Sequence, residues 1–245
     1  MSDNLASLDV AILAGGLGTR LAGVLGDAPK ILAPVGGTPY IAFLLDWLAR
    51  SGLRRIVFCL GHRAGAVEDW LAGHARPGMV IDSVREPAPA GTAGALRHAR
   101  ASLNSDPVLV LNGDSFVDGD FAGFLSDYHA SRAEVSIMCV GVPDVARYGG
   151  IDIDADGWID RFAEKDPRNT GPGVINAGVY LFSRAFLDDI PGHGAVSLEH
   201  DIFATAPRGS IRAYRTDGIF HDIGTPESLA AAASILAPHR RAAAS

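Results

Sequence analysis

The segment Ala14-Gly15-Gly16-Leu17-Gly18-Thr19-Arg20-Leu21 puts three glycines, a hydroxyl and a guanidinium directly after a short apolar run, Asp9 to Leu13, that reads as a strand. Glycines carry no side chain, so their backbone N–H groups can approach an anion closely. In an open α/β sheet the ligand crevice lies beyond the carboxyl ends of the strands, which places this loop to hold phosphates. It matches neither of the common phosphate loops. A Walker A loop ends in Gly-Lys-Ser/Thr, which is absent. A dinucleotide fingerprint needs a third glycine where Gly16-x-Gly18 is followed by Leu21, and an acidic residue where Leu60 is followed by Gly61-His62. Without a ligand, the segment would be a tight strand-to-loop turn. The basic residues sharpen the choice. Of 21, only Lys30 and Lys165 are lysine, the other 19 being arginine, and glutamine is absent altogether. Lysine is a compact point charge and arginine a planar fork, so a retained lysine is a candidate to meet a single phosphate oxygen.

The elements that must position these groups alternate through the first half. Thr38 to Arg50 has helical apolar spacing with Thr38-Pro39 as cap and first-turn residues, and Gly52 stops it. Arg55 to Leu60, Met79 to Val84 and Val108 to Leu111 read as strands; Ala64 to His74 and Thr92 to Ser102 read as helices. Strand and helix in succession predict an α/β fold with a mostly parallel sheet and right-handed crossovers. Asn112-Gly113-Asp114 ends the fourth strand, which sets the Asp114 carboxylate at the same sheet edge as the glycine loop. The second half is less regular. Glu134 to Val142, Ile175 to Phe182, Ile211 to Tyr214 and Ile219 to His221 read as strands, and Asp156-Gly157 signals a hairpin between Gly150 to Ile153 and Trp158 to Phe162. Ser197 to Ala206 and Pro226 to Leu236 read as helices, and the alanine-rich tail, Ala230 to Ser245, as partly helical with a frayed end. No linker separates the halves, so one continuous domain is expected, its second half adding a substrate lobe.

Composition narrows the partners. The net charge is −7 and no block of like charges occurs, which argues against a nucleic-acid polymer or an anionic membrane, both of which need a basic face. A small anionic ligand needs only a local basic pocket. No apolar stretch approaches the roughly 18 residues of a membrane helix, and the start, MSDNLASLD, lacks a secretory pattern. Cys59 and Cys139 lie in apolar β-like runs and read as reduced, buried thiols of a cytoplasmic protein. His62, His98, His129 and His221 show no metal-ligand spacing and read as surface or satisfied residues, His221 beside the site. Phe43, Leu44, Trp47 and Leu48 read as helix core.

The full pattern, L-A-G-G-x-G-T-R-L, then Pro29-Lys30, then a strand ending Asn-Gly-Asp, resembles the sugar-1-phosphate nucleotidyltransferases, and within them the bacterial heptose-1-phosphate guanylyltransferases. Glu86 to Leu96, Leu111 to Phe116, Arg147 to Gly149, Ile175 to Phe182 and Phe220 to Glu227 carry that likeness. It implies a Rossmann-like nucleotidyltransferase fold with helices on both faces of the sheet and a smaller β-rich sugar-binding lobe, 1–132 binding nucleotide and 133–245 sugar phosphate. It implies transfer from an NTP to a sugar 1-phosphate, with Mg²⁺ as cofactor. Arg20 and Lys30 resemble the pair that grips the triphosphate, and Asp114 and Asp222 the Mg²⁺-binding aspartates. Lys165 resembles the contact to the sugar phosphate, Glu164 a sugar-hydroxyl acceptor, with Gly149, Asn176 and Gly178 lining the same pocket. Leu13, Ala14, Gly15, Gly16, Gly18 and Thr19 would surround the nucleotide with Gly91, Thr92 and Glu86. Glu86 can accept from the N1–H and amine of guanine and would repel the acceptor edge of uracil or thymine, which favours GTP. A uridylyl- or thymidylyltransferase keeps the chemistry and changes the base. A non-catalytic regulatory subunit would have lost a metal or phosphate ligand, and Arg20, Lys30, Asp114, Lys165 and Asp222 are all present. A nicotinamide-binding protein is the remaining alternative. A homo-oligomer is the usual default.

Overall fold

The structure is a computed structural model that describes residues 4–16, 18–163, 165–168 and 170–239. Its strands are β1 (Asp9–Leu13), β2 (Pro34–Val35), β3 (Thr38–Pro39), β4 (Arg55–Leu60), β5 (Val80–Arg85), β6 (Val108–Asn112), β7 (Ser115–Val117), β8 (Val135–Val142), β9 (Ile151–Ile153), β10 (Ile159–Phe162), β11 (Gly173–Phe182), β12 (Ile211–Thr216) and β13 (Phe220–Asp222). The helices are α1 (Ala22–Leu25), α2 (Tyr40–Arg50), α3 (Ala64–Gly73), α4 (Gly91–Ala99), α5 (Phe121–Ser131), α6 (Arg184–Asp188) and α7 (Pro226–Leu236). Seven strands form one sheet in the order β12-β8-β11-β6-β1-β4-β5. β5, β4, β1 and β6 run parallel, β11 is antiparallel to both its neighbours, and β12 is parallel to β8.

Alternation along β1 divides the core in two. Val10 and Ile12 face a cluster that includes α2 and Phe121 and Phe124 of α5; Ala11 faces a second with Ala93, Leu96 and Ala99 of α4 and Phe203. Eight residues of α2 are buried, and each fully buried Leu or Ile contributes roughly 2 kcal/mol. Asp9 is buried at the start of β1 and is matched rather than orphaned. Its carboxylate meets Arg55 Nε at 2.6 Å and accepts from the Asn104 and Ser105 backbone, 2.8 Å for Ser105.

Several expectations needed correction. Thr38-Pro39 is not a helix cap. It pairs as β3 with Pro34–Val35, and Pro39 stands at the N-cap of α2 with no side-chain cap. α5 was not anticipated, although Asp120 caps it by accepting from the Ala122 and Gly123 N–H groups, both at 3.0 Å. Ser197 to Ala206 is not an α-helix but a wide π-type turn, Leu198–Ile202, followed by a single 3₁₀ turn, Phe203–Thr205. Side chains cap its start: Leu198 N–H donates to Thr92 Oγ1 at 2.7 Å and Ser197 N–H to Asp201 Oδ2 at 2.7 Å. α7 ends at Leu236 and one 3₁₀ turn follows, Ala237–His239; the rest of the expected tail lies outside the described residues. Cys59 and Cys139 are free and buried, and burial pushes both thiols up to about 12.

Candidate active site

β1, β4 and β6 end side by side, and the site begins where they stop. Leu13 lies opposite both Cys59 and Asn112. Ala14 N–H donates to Cys59 O and Gly113 N–H to Leu13 O, both at 2.9 Å. A Cβ at Gly113 would come within 2.7 Å of Leu13 O, so the two chain segments run this close only because residue 113 is glycine. The glycine loop turns at Gly18, with φ of 60°, into the 3₁₀ turn Thr19–Leu21, whose Leu21 is buried as an anchor. A cleft of about 230 Å³ follows, lined by Leu13, Ala14, Gly16, Gly18, Thr19, Arg20, Lys30 and Asp114 among others. Lys30 Nζ meets Asp114 Oδ2 at 2.6 Å.

Asp114 and Asp222, far apart in sequence, are joined by a short ladder. β13 pairs antiparallel with β7, Asp222 opposite Ser115, and Ile223 N–H donates to Asp114 O at 2.9 Å. Asp222 is held from several sides. Tyr148 O–H donates to Oδ2 at 2.7 Å, Arg147 Nη2 to both oxygens at 3.1 and 3.2 Å, and Gly224 N–H to Oδ1 at 2.6 Å. Burial pushes the Asp222 carboxyl up, but the Tyr148 and Gly224 hydrogen bonds and the charges of Arg147 and Lys30 outweigh it and hold it below the usual range. Asp222 is therefore ionised at neutral pH. Fully buried Tyr40 has a hydroxyl with no partner among the described residues; burial, then the charges of Asp114 and Asp222, raise its pKa well above the ordinary phenol value.

Two larger cavities open from this centre. One of about 570 Å³ is lined by Leu13, Gly15, Gly16, Gly61, His62, Glu86, Gly91, Thr92, Asn112, Asp114 and Glu199 among others. Glu86 lies in the crease between Gly15 and Gly61, where its Oε1 would crowd a side chain at either position, and its Oε2 accepts from Ala90 N–H at 3.2 Å. The other, about 370 Å³, is lined by Arg20, Lys30, Asp114, Arg147, Tyr148, Gly149, Lys165, Asn176, Gly178, Glu199 and Asp222 among others. Asp114 borders all three spaces. Gly178, with φ of 74°, brings β11 against Asn112; a Cβ there would meet Asn112 Nδ2 at 2.8 Å.

The expected residues thus converge, apart from Glu164, which lies outside the described residues. His62 is exposed, as expected of a surface residue, and also borders the 570 Å³ cavity. His221 binds Ser228 O through Nε2 at 2.8 Å. Phe43, Leu44, Trp47 and Leu48 are buried core. Asn112, Arg147, Tyr148, Tyr180 and Glu199 were given no role from sequence. Arg147 and Tyr148 sat in a motif already noticed, whereas Glu199 lay in a segment misread as a helix.

Comparison with known proteins agrees with this geometry. Residues 10–238 match the model of the family described as nucleotidyl transferase. The chain is 32% identical over 225 residues to a mannose-1-phosphate guanylyltransferase of Mycobacterium tuberculosis, covering 90% of this chain and 62% of that one. It is 28% identical over 220 residues to the D-glycero-alpha-D-manno-heptose 1-phosphate guanylyltransferase of Campylobacter jejuni, covering 90% and 96%. The chain therefore spans less than two thirds of the first relative's length and nearly all of the second's. The crystal structure of HddC from Yersinia pseudotuberculosis superposes with a TM-score of 0.84 at 34% identity, covering 94% of this chain and 99% of that one; its complex with GMP-PN gives the same score at 33%. A crevice of this kind on this sheet, matched along almost its whole length, places the chain in the nucleotidyl transferase family.

Proposed function

We propose that the chain transfers a nucleotidyl group from an NTP, GTP favoured, to a sugar 1-phosphate of heptose or other manno configuration, releasing pyrophosphate. The observation that carries this reading is Asp114 at the meeting point of a phosphate cleft, a nucleoside-sized cavity and a polar cavity, ringed by Arg20, Lys30, Arg147 and Lys165. The acceptor's phosphate oxygen forms a bond to the α-phosphorus, the bond to the α–β bridging oxygen breaks, and that electron pair leaves on pyrophosphate. The nucleophile is already an anion, so no general base is needed. Positioning and charge stabilisation carry the rate. Arg20 can meet two phosphate oxygens at once and Lys30 adds a point charge on the leaving side. Lys165 and Arg147 face the acceptor cavity and would offset the repulsion between the two phosphates.

The residues present fit Mg²⁺. Among the described residues no group of three acidic, histidine or cysteine side chains could cage a metal. A two-carboxylate site completed by substrate phosphates and waters is what Mg²⁺ takes. Asp114 and Asp222 would hold the ion, which when bound would neutralise phosphate charge. Guanine is favoured because Glu86 presents a carboxylate inside the nucleoside cavity, an acceptor for the N1–H and amine of guanine. The GMP-PN complex of HddC supports the same choice.

The test is a panel of each NTP against a set of sugar 1-phosphates with Mg²⁺, read as pyrophosphate release. Release with GTP and a heptose or mannose phosphate is expected. Signal with UTP or dTTP and none with GTP would overturn the base assignment. No release with any pair would overturn the reaction.

A further inference from the structure

Glu199 stands outside every motif that carries the family likeness, yet it borders both larger cavities. It sits on the wide turn Leu198–Ile202, which is docked on the start of α4. Val196 N–H donates to Ala90 O at 2.8 Å, Ala93 N–H to Val196 O at 2.9 Å and Leu198 N–H to Thr92 Oγ1 at 2.7 Å. The dock is close enough that a Cβ at Gly91 would overlap the Val196 backbone.

The two carboxylate oxygens face different surroundings. Oε2 accepts from the hydroxyls of Thr92 and Ser197, each at 3.2 Å. Oε1 has one long contact, the Tyr180 hydroxyl at 3.4 Å. That hydroxyl is buried and accepts from the amides of Asn176 at 3.0 Å and Asn112 at 3.5 Å, so its single hydrogen points to Glu199. Asn176 is oriented by Gly178 N–H, which donates to its Oδ1 at 2.8 Å and turns its amide nitrogen towards Tyr180. Oε2 is thus filled from the nucleoside side, while Oε1 keeps acceptor capacity on the side of Asn176 and Gly178. A carboxylate only accepts, and a sugar hydroxyl donates.

We propose that Glu199 determines acceptor specificity: its Oε1 accepts a hydrogen bond from a ring hydroxyl of the acceptor sugar, while Thr92 ties it to the nucleotide-binding helix. The order of filling matters physically. Anything that settles α4 around a nucleoside also fixes the group that reads the sugar. This inference rests on the assignment of the 370 Å³ cavity to the acceptor.

The experiment compares wild type with Glu199→Gln, using the sugar 1-phosphate that the wild type turns over and its singly deoxygenated analogues. Sugar binding without turnover is measured by calorimetry. The variant should raise KM for the sugar phosphate about tenfold, with kcat and the KM for GTP within about threefold, as expected for losing one charge-assisted hydrogen bond. One deoxy analogue, poor for the wild type, should lose its penalty in the variant. Thr92→Val, which keeps Glu199 but removes one of the two hydroxyls on Oε2, should give a smaller change in the same direction. Equal penalties for every analogue in both proteins would overturn the proposal. So would a rise in the KM for GTP alone, which would move Glu199 to the nucleoside wall. If the wild type binds the sugar phosphate but releases no pyrophosphate, the proposed reaction fails and Glu199 is judged by the calorimetry alone. If it neither binds nor turns over, both ideas fall.

Discussion

At the glycine-loop end of the crevice the walls are mainly backbone and small residues. Gly15, Gly16, Gly18 and Gly113 clear the space, and two strand ends pin the loop in place. In the 370 Å³ cavity the walls are side chains drawn from distant segments: Asn112 from β6, Arg147 and Tyr148 from the segment after β8, Asn176 from β11 and Glu199 from the turn beyond it. The first construction is local in sequence. The second depends on many long-range contacts, each of which can be changed singly. On the proposed function, the first would hold the phosphates common to all substrates and the second would read the acceptor.

That contrast can be tested at several strengths. The largest effect belongs at the junction. Asp114→Asn should lower turnover about a thousandfold by removing charge stabilisation, with the melting temperature nearly unchanged because this side chain is 41% exposed. Pyrophosphate release and thermal unfolding together check it; full activity would remove Asp114 from the centre. Next comes Gly178→Ala. It forces a side chain into a left-handed backbone against Asn112 and should cost roughly 2 kcal/mol of stability, raising the sugar KM more than that for GTP. Thermal melts with both substrate titrations would show it. Gly16→Ala sharpens the other side. Among the described residues nothing but its chain neighbours lies within 4 Å of a Cβ there, and no unusual backbone is required, so stability should hold. If phosphates occupy that space, KM for the NTP should rise about tenfold; an unchanged KM would leave the loop without a ligand. Tyr148→Phe removes the O–H that Asp222 accepts at 2.7 Å. It should cut kcat/KM about fivefold and raise the Mg²⁺ needed for half-maximal rate. The smallest effect is at the thiols. Burial pushes Cys59 and Cys139 up to about 12, so neither thiolate forms at pH 8. A thiol reagent should label the native protein negligibly and both cysteines after denaturation.

The same contrast explains what could be read without coordinates. The parallel strands and α7 were legible because apolar runs bounded by glycine, proline and polar residues have few alternatives. The glycine loop was legible because its residues are neighbours in the chain. α5 was missed although Phe121, Phe124, Leu125 and Tyr128 have helical spacing behind an Asp120 cap; that signal was present and went unused. The turn at Leu198–Ile202 was a different kind of miss. Its residues look helical, and its docking on the start of α4, over a hundred positions away through Thr92 and Val196, is not visible locally.

The pairing of β13 with β7 has a consequence for the chain as it emerges during synthesis. The glycine loop, Lys30 and Asp114 are all made early, yet Asp222 and its Arg147 and Tyr148 partners come together only when the last strand docks. A chain stopped before Phe220 would carry Asp114 but not Asp222, and so only half of the acidic pair at that edge.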